Sequence, residues 1–201
     1  MTADARDRIT LEHAPLVAMP RYTNFPPLEV DGHRFITAED GLWLEVKRSW
    51  LRLTWPIAES AIALPYGPVL ADEYTFAFSD HELAYLVDRF MQLAREALPD
   101  ECAAWGVWDE KTQRLELRPC IAIEAAPGGV SFHRPVLEPH EHLAVDIHSH
   151  GELGAFFSAT DDEDDRGEVK LSIVVGKVAG DAPQVAMRLC ALGLFITFGC
   201  D

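Results

Sequence analysis

The hydrophobic period of the chain changes near residue 79, and the change divides it. From residue 29 to about 78, apolar and polar positions alternate in short runs: 33-HRFIT-37, 42-LWLEV-46 and 50-WLRLTW-55. Period two marks strands with one buried face. Turn signals stand at Asp31-Gly32 and Asp40-Gly41, and 64-LPYGPV-69 is a further turn cluster. Residues 1–78 therefore read as a small, mainly β module of unknown role. Its lead-in differs, because 15-PLVAMPRYTNFPPL-28 holds four prolines and little periodicity. Proline removes donors and blocks helix, so residues 1–28 are expected to be extended or irregular.

Beyond residue 79 the period becomes helical. Leu83, Leu86, Val87, Phe90, Leu93, Ala94 and Ala97 recur at three- and four-residue steps, making one apolar stripe. Ser79 and Glu82 form a capping-box pattern at the start, and Pro99 marks the end. Next, 101-ECAAWGVWD-109 and 114-RLELRPCIAIEAA-126 read as paired strands around a turn at Asp109 to Thr112. The Pro- and Gly-bearing tract 127–142 reads as a loop, and 143-LAVDIHSH-150 as a buried strand. A capped helix start at Ser158, a strand over 169–178 and an apolar pair, 186–192 and 194–199, complete the chain. The second half is thus predicted to be α+β, with a helix packed on a mixed sheet.

Composition narrows the class. The 201 residues are 48% hydrophobic and 25% charged, as in globular proteins, and suffice for two small domains. No apolar run approaches the roughly 20 residues of a membrane span. MTADARDRIT lacks a signal peptide's apolar core, so a cytoplasmic address is expected, with no membrane partner. Cys102, Cys120, Cys190 and Cys200 form no CxxC pair and read as reduced thiols. A net charge of −16 argues against nucleic acid as a partner.

The chemistry concentrates in 148-HSHGELGAFFSATDD-162. Residues two apart in a strand face the same side, so His148 and His150 point together and Ser149 points away. Two imidazoles on one face suit Zn²⁺. Asp161, beyond a loop anchored by Phe156 and Phe157, can return as a third ligand. Three protein ligands leave the fourth tetrahedral position for water, the mark of a catalytic zinc. Water activated in this way needs a base outside the ligand set, and Glu101, between helix and strand, is the candidate. Ser158 is placed to donate a hydrogen bond to an oxyanion.

Each residue also has an ordinary reading. An isolated HxH is more often a pair of hydrogen-bonded strand histidines, and 140-HEH-142 is read as loop residues of that kind. Ser158 and Asp161 also form a capping box, and one residue can serve both purposes. Glu101 alone would be a surface carboxylate. Asp146 shares the histidines' face and reads as a solvent-facing acid in preference to an imidazole orienter. Asp162, Glu163, Asp164 and Asp165 read as a solvated helix start, where carboxylates favour the dipole. Cys102 reads as a small buried hydrophobe, and Trp105 and Trp108 as packing residues.

The joint spacing resembles the JAMM metalloproteases, also called MPN+ or JAB domains. Their signature is an upstream Glu, then HxH, seven residues and SxxD. Glu101, 148-HSH-150, the seven residues Gly151 to Phe157 and 158-SATD-161 match it without a gap. The preceding helix, 89-RFMQLAREALPDEC-102, also resembles that of prokaryotic members. The resemblance covers about residues 80–201 and implies a JAB/MPN-like mixed sheet with packed helices. It implies Zn²⁺ as cofactor on His148, His150 and Asp161, Glu101 and Ser158 as catalytic residues, and peptide or isopeptide hydrolysis. Two positions depart from the common pattern: Gly151 where many members have Pro, and Ala104 where many have Gly.

More narrowly, DIHSHGELGAFFSATDD is similar to the JAB-like proteins of the bacterial PRTRC gene set. In that gene set a JAB-like protein accompanies ThiF-like and ParB-like partners, and the wider family resemblance implies a ubiquitin-like protein tail as substrate. The alternative class is a non-catalytic MPN-type scaffold, whose members lose the ligands that this chain keeps.

Overall fold

The computed structural model describes residues 4–126 and 129–198, so Cys200 and part of the tract 127–142 lie outside the described residues. The chain forms two compact units, residues 1–77 and 78–201.

In the first unit the alternating runs become a five-stranded sheet in sequence order. Its strands are β1 (Leu16–Ala18), β2 (Gly32–Thr37), β3 (Gly41–Arg48), β4 (Leu51–Glu59) and β5 (Glu73–Phe76). β1 pairs parallel with β2, and the other pairs are antiparallel. At the β2–β3 turn Gly41 has φ +151°, and a Cβ there would stand 2.0 Å from the Ala58 carbonyl oxygen, so only glycine fits. Ile36, Ala38 and Trp43 form a core closed by Val17, Met19, Phe25 and Val69.

The lead-in departs from its expected irregularity. Ala5–His13 form a helix, α1, capped by Asp4, whose carboxylate accepts the Arg6 N–H at 2.8 Å. All four prolines of the lead-in lie beyond His13, so none obstructs it. Every residue of α1 is exposed, which explains why no apolar stripe announced it.

The second unit begins with α2 (Asp80–Ala97), where Ser79 Oγ accepts the Glu82 N–H at 3.3 Å and the Glu82 carboxylate accepts the Ser79 N–H at 2.9 Å. Its strands are β6 (Ala103–Asp109), β7 (Arg114–Pro119), β8 (Ile121–Ala126), β9 (Gly129–His133), β10 (Glu141–Ser149), β11 (Val169–Gly176), β12 (Gln184–Ala191) and β13 (Leu194–Thr197), with helix α3 (Ala159–Asp165) between β10 and β11. Six strands form one sheet in the order β13-β12-β11-β10-β6-β7. β10 and β11 are parallel and the remaining pairs antiparallel, so the sheet is mixed and the unit is α+β.

One expectation fails here. The strand read as 114–126 ends at Pro119, and after the Cys120 N–H bonds to the Ala103 carbonyl the chain leaves the sheet. β8 then pairs antiparallel with β9, inside the tract expected to be loop. Pro and Gly at 127–129 signalled a loop between elements, but the alternation of 130-VSFH-133 was the hairpin's returning strand. His142 and Glu141 likewise belong to the start of β10 and not to a loop.

The two faces of the large sheet differ in chemistry. Paired residues share a face. Val145, Leu171 and Leu189 are opposite one another across β10, β11 and β12, as are Ile147, Ile173 and Met187. α2, whose buried residues are Leu86, Phe90, Met91 and Ala94, meets this apolar face where Leu86 lies over Gly106 beside Val145. The other face carries Asp146, Ser172 and Arg188 in one row, with Lys170, Cys190 and His148 beside it. Trp105 and Trp108 are buried, the latter 6.3 Å from the Phe78 ring.

Close approach of α2 to its face depends on Gly106. A Cβ at that position would lie 2.7 Å from both Leu86 Cδ1 and Val145 Cβ. Gly106→Ala is therefore expected to destabilise the second unit by about 1–3 kcal/mol, as overpacked cores do. The readout is the denaturant midpoint, and an unchanged midpoint would show that α2 can withdraw without penalty.

Candidate metal centre

The site forms where β10 ends. His148 sits in the ladder between Val174 of β11 and Ala103 of β6. His150 prolongs it, donating its N–H to the Val175 carbonyl at 2.8 Å. Both imidazoles consequently face one side, as alternation requires. On the other flank the Ser149 N–H bonds to the Cys102 carbonyl at 2.9 Å and Ser149 Oγ accepts the Cys102 N–H at 3.0 Å. Continuing that pairing by one residue sets Glu101 beside His150.

The chain then turns sharply. Gly151 has φ +54°, a conformation closed to proline, which accounts for its departure from the common family residue. Residues 151–155 lie against the end of β11, with Lys177 N–H on the Leu153 carbonyl at 2.7 Å and Val178 N–H on the Gly151 carbonyl at 3.0 Å. Gly176 makes this possible, since a Cβ there would lie 2.4 Å from Leu153 O and Ala155 N. Phe156 packs edge-on against His150 at 4.6 Å between centroids. Ser158 caps α3: Asp161 Oδ2 accepts from Ser158 N and Oγ at 2.6 and 2.7 Å, and Asp161 N–H bonds back to Ser158 Oγ.

The loop and α3 bring Asp161 back to the histidines. His148 Nε2 is 3.2 Å from His150 Nε2 and 3.4 Å from Asp161 Oδ1, and the three donor atoms lie within 4.8 Å of one another. Zinc bonds of about 2.0–2.1 Å in a tetrahedron put neighbouring donors about 3.3 Å apart, so the set fits Zn²⁺. His150 Nδ1 lies 3.3 Å from the Gly154 carbonyl, which fixes Nδ1 as donor and frees Nε2. Without a metal the same separations allow the His148 Nε2–H to be shared between His150 Nε2 and Asp161 Oδ1.

These residues line a cleft of about 290 Å³, together with Glu101, Phe132, Leu153, Phe156 and Ser158. His148 titrates below its usual value because burial disfavours the imidazolium, a loss only partly opposed by Asp161, and the neutral ring is the form that binds metal. Glu101, 7% exposed, is raised above the ordinary carboxylate range by burial, with His150 opposing and Asp161 adding to the shift. Burial likewise raises the Cys102 thiol, which fits a packing residue and not a nucleophile. Cys102, Cys120 and Cys190 are free thiols. Neither Trp105 nor Trp108 lines the cleft.

Two expectations about acids are overturned. Asp146 is not a free acid in solvent, because its half-buried carboxylate lines the cleft and takes Lys170 Nζ at 2.8 Å. Asp162 and Asp165 are not a freely solvated helix start either. Asp165 is 4% exposed and binds Lys170 at 2.9 Å and Arg188 at 2.7 Å, while Asp162 pairs with Arg188. Sequence reasoning missed Lys170 and Arg188, although alternation along β11 and β12 sets both on the face of His148. A second cluster, Asp109, His140 and Glu141, also gathers donor atoms within 4.8 Å. There both Glu141 oxygens are held by the Arg118 guanidinium, whose hydrogen bond lowers the Glu141 carboxyl to about 2.

The chain belongs to the prokaryotic homologs of the JAB domain, whose family model matches residues 83–190. That family includes metallopeptidases and also inactive members. Residues 4–76 match a domain of unknown function (DUF2016). No curated protein matches the chain. No described helix is long and apolar enough to cross a membrane.

The buried acids give the unit a pH dependence. Burial alone would raise the Asp165 carboxyl, but hydrogen bonding from Arg188 and the Lys170 charge outweigh it, and the net shift is downward. A carboxyl depressed in the folded state stabilises above its unfolded pKa and loses that contribution as pH falls through the folded value. In metal-free protein at neutral pH, Asp165→Asn is expected to cost about 3 kcal/mol, the scale for breaking a buried pair. The gap from wild type should narrow below about pH 4, near the unfolded carboxylate range. Calorimetry in chelator checks this, and a gap independent of pH would show that Asp165 acts by shape and not by charge.

Proposed function

We propose that the second unit, residues 78–201, is a zinc-dependent hydrolase of peptide or isopeptide bonds of the JAMM type. The observation that carries the reading is the convergence of His148 Nε2, His150 Nε2 and Asp161 Oδ1 at zinc-compatible separations, in a cleft shared with Glu101. A bound Zn²⁺ would supply a Lewis acid and lower the pKa of water in the cleft.

The protein's own groups divide the remaining work. Glu101 accepts a proton at its carboxylate from the attacking water and returns it to the leaving amine. Burial raises its pKa above the ordinary carboxylate range, which strengthens it as a proton acceptor. Ser158 donates to the oxygen of the attacked carbonyl, for which its hydroxyl must turn away from Asp161 Oδ2. Gly154, through its carbonyl, holds the His150 ring in register. Phe156 and Leu153 give the rim of the cleft an apolar surface.

The family resemblance supports a narrower reading, a ubiquitin-like protein tail as substrate, and the likeness to the PRTRC gene set adds a ThiF-like partner. Both are proposed from those likenesses alone.

Two substitutions test the chemistry. Purified protein is expected to hold one zinc per chain by elemental analysis, and the His148→Ala/His150→Ala double variant none. Stoichiometric zinc in the double variant would remove the site assignment. Glu101→Gln is expected to retain zinc and lose hydrolysis of a peptide or isopeptide substrate by about 10²–10⁴-fold, since the amide accepts no proton. Loss of zinc in that variant would make Glu101 a ligand and not the base. Wild-type protein that holds zinc but cleaves no such substrate would favour a partner-binding scaffold.

A further inference from the structure

The third metal donor rides on an unusual element. α3 has seven residues, ATDDEDD, and is about 10 Å long at 1.5 Å per residue. A helix that short is not stable by itself. Five of its seven residues are acidic and repel one another, and its only apolar residue is Ala159. Among its residues Asp165 alone is buried. Hydrophobic packing therefore cannot set the orientation of α3, yet Asp161 Oδ1 must fall within a few tenths of an ångström of one place.

We propose that Arg188 is the positioning residue that sets the third donor, Asp161; the proposal rests on reading His148, His150 and Asp161 as the ligand set. Arg188 stands on β12, on the same face of the sheet as His148, and is 4% exposed. Its Nε and Nη2 fork onto Asp165 Oδ2 at 3.1 and 2.7 Å, and Nη1 holds Asp162 Oδ1. Its guanidinium also lies 3.9 Å from the Phe157 ring and 4.0 Å from the Phe195 ring. One side chain thus grips the segment on both sides of the capping pair: Phe157 just before Ser158, and Asp162 and Asp165 after Asp161.

The grip fixes rotation as well as place. Asp161 and Asp165 are four residues apart, hence on one side of the helix, so holding Asp165 sets the direction in which Asp161 points. Lys170 shares Asp165 at 2.9 Å but is anchored to Asp146 and Glu168 and does not hold Phe157 or Asp162 through any ion pair or ring contact. A lysine at 188 would keep the charge but lose the planar fork and the stacking on both rings.

The test is a zinc-affinity cycle on the full chain by chelator competition. Arg188→Lys, Arg188→Met and Asp162→Asn are each made with Asp161 intact and with Asp161→Ala. With Asp161 present, Arg188→Met is expected to weaken zinc binding about 10- to 100-fold, the range for lost outer-shell support. Arg188→Lys and Asp162→Asn should lie between it and wild type. With Asp161→Ala, none of the three should weaken binding further, because the group they position is gone. The visible spectrum of Co²⁺ in the site should change in the Arg188 variants and not in the same variants lacking the Asp161 carboxylate.

Unchanged affinity in a folded Arg188→Met protein would overturn the proposal, and so would an equal loss in the Asp161→Ala background, which would indicate general loosening. Should Arg188→Met fail to fold, Arg188→Lys and Asp162→Asn decide by the same two criteria, since Asp162 is 45% exposed at its side chain and tolerates substitution. Wild-type protein that binds no zinc would instead remove the metal reading itself, and this proposal with it.

Discussion

The parallel pairing of β10 with β11 governs the second unit. Parallel neighbours cannot be joined by a tight turn, so the chain must travel back along the sheet before the second strand begins. Here that return is residues 150–168, running from the end of β10 to the start of β11. Any group on the return is carried over one sheet face, and this face bears His148. Asp161 meets a histidine thirteen residues earlier because the topology obliges the intervening chain to come back.

The same path explains the buried charge. A return over an apolar face would be covered by an amphipathic helix, as α2 covers the opposite face. α3 has no apolar stripe, and the face beneath it offers Lys170, Ser172 and Arg188. Asp162 and Asp165 are the carboxylates of α3 that meet those cations, so charge replaces shape in specifying the docking. Buried ion pairs add little net stability relative to apolar packing, but an unpaired member is severely unfavourable. That asymmetry suits a segment that must be held in one orientation more than it must be held tightly.

Legibility in the sequence followed how local each signal was. α2 was readable because its stripe and capping box lie within twenty residues. The convergence of His148, His150 and Asp161 was readable because strand alternation and the spacing to SxxD are both properties of one continuous stretch. The break between β7 and β8 and the returning strand β9 were not, because Pro127 and Gly128 advertise a turn equally well inside a hairpin or between elements. The roles of Asp146 and Asp165 were hidden for another reason. A carboxylate in an acidic run looks solvated until its cation is known, and the cations are supplied by strands that follow it in the chain. Lys170 and Arg188 carried a usable clue: a charged residue at an inward position of an otherwise apolar strand must have a partner. Gly176 gave none, since the backbone that fills its missing Cβ belongs to residues 153–155, over twenty positions earlier.

Ser158 shows how closely fold and chemistry are joined in this site. Its hydroxyl accepts the Asp161 N–H and donates to Asp161 Oδ2, so it caps α3 and orients the carboxylate whose other oxygen faces His148. The capping box and the ligand arrangement are one set of hydrogen bonds, not competing readings of the same residues. Removing the hydroxyl would lose a cap worth about 1 kcal/mol and loosen Asp161 at the same time. A lowered rate in such a variant would therefore not by itself identify an oxyanion donor. Thr at this position keeps the hydroxyl and the cap, whereas Asn or Asp keeps a capping acceptor and lacks the hydroxyl. The contrast between those two kinds of replacement, at equal zinc content, separates the cap from the donor.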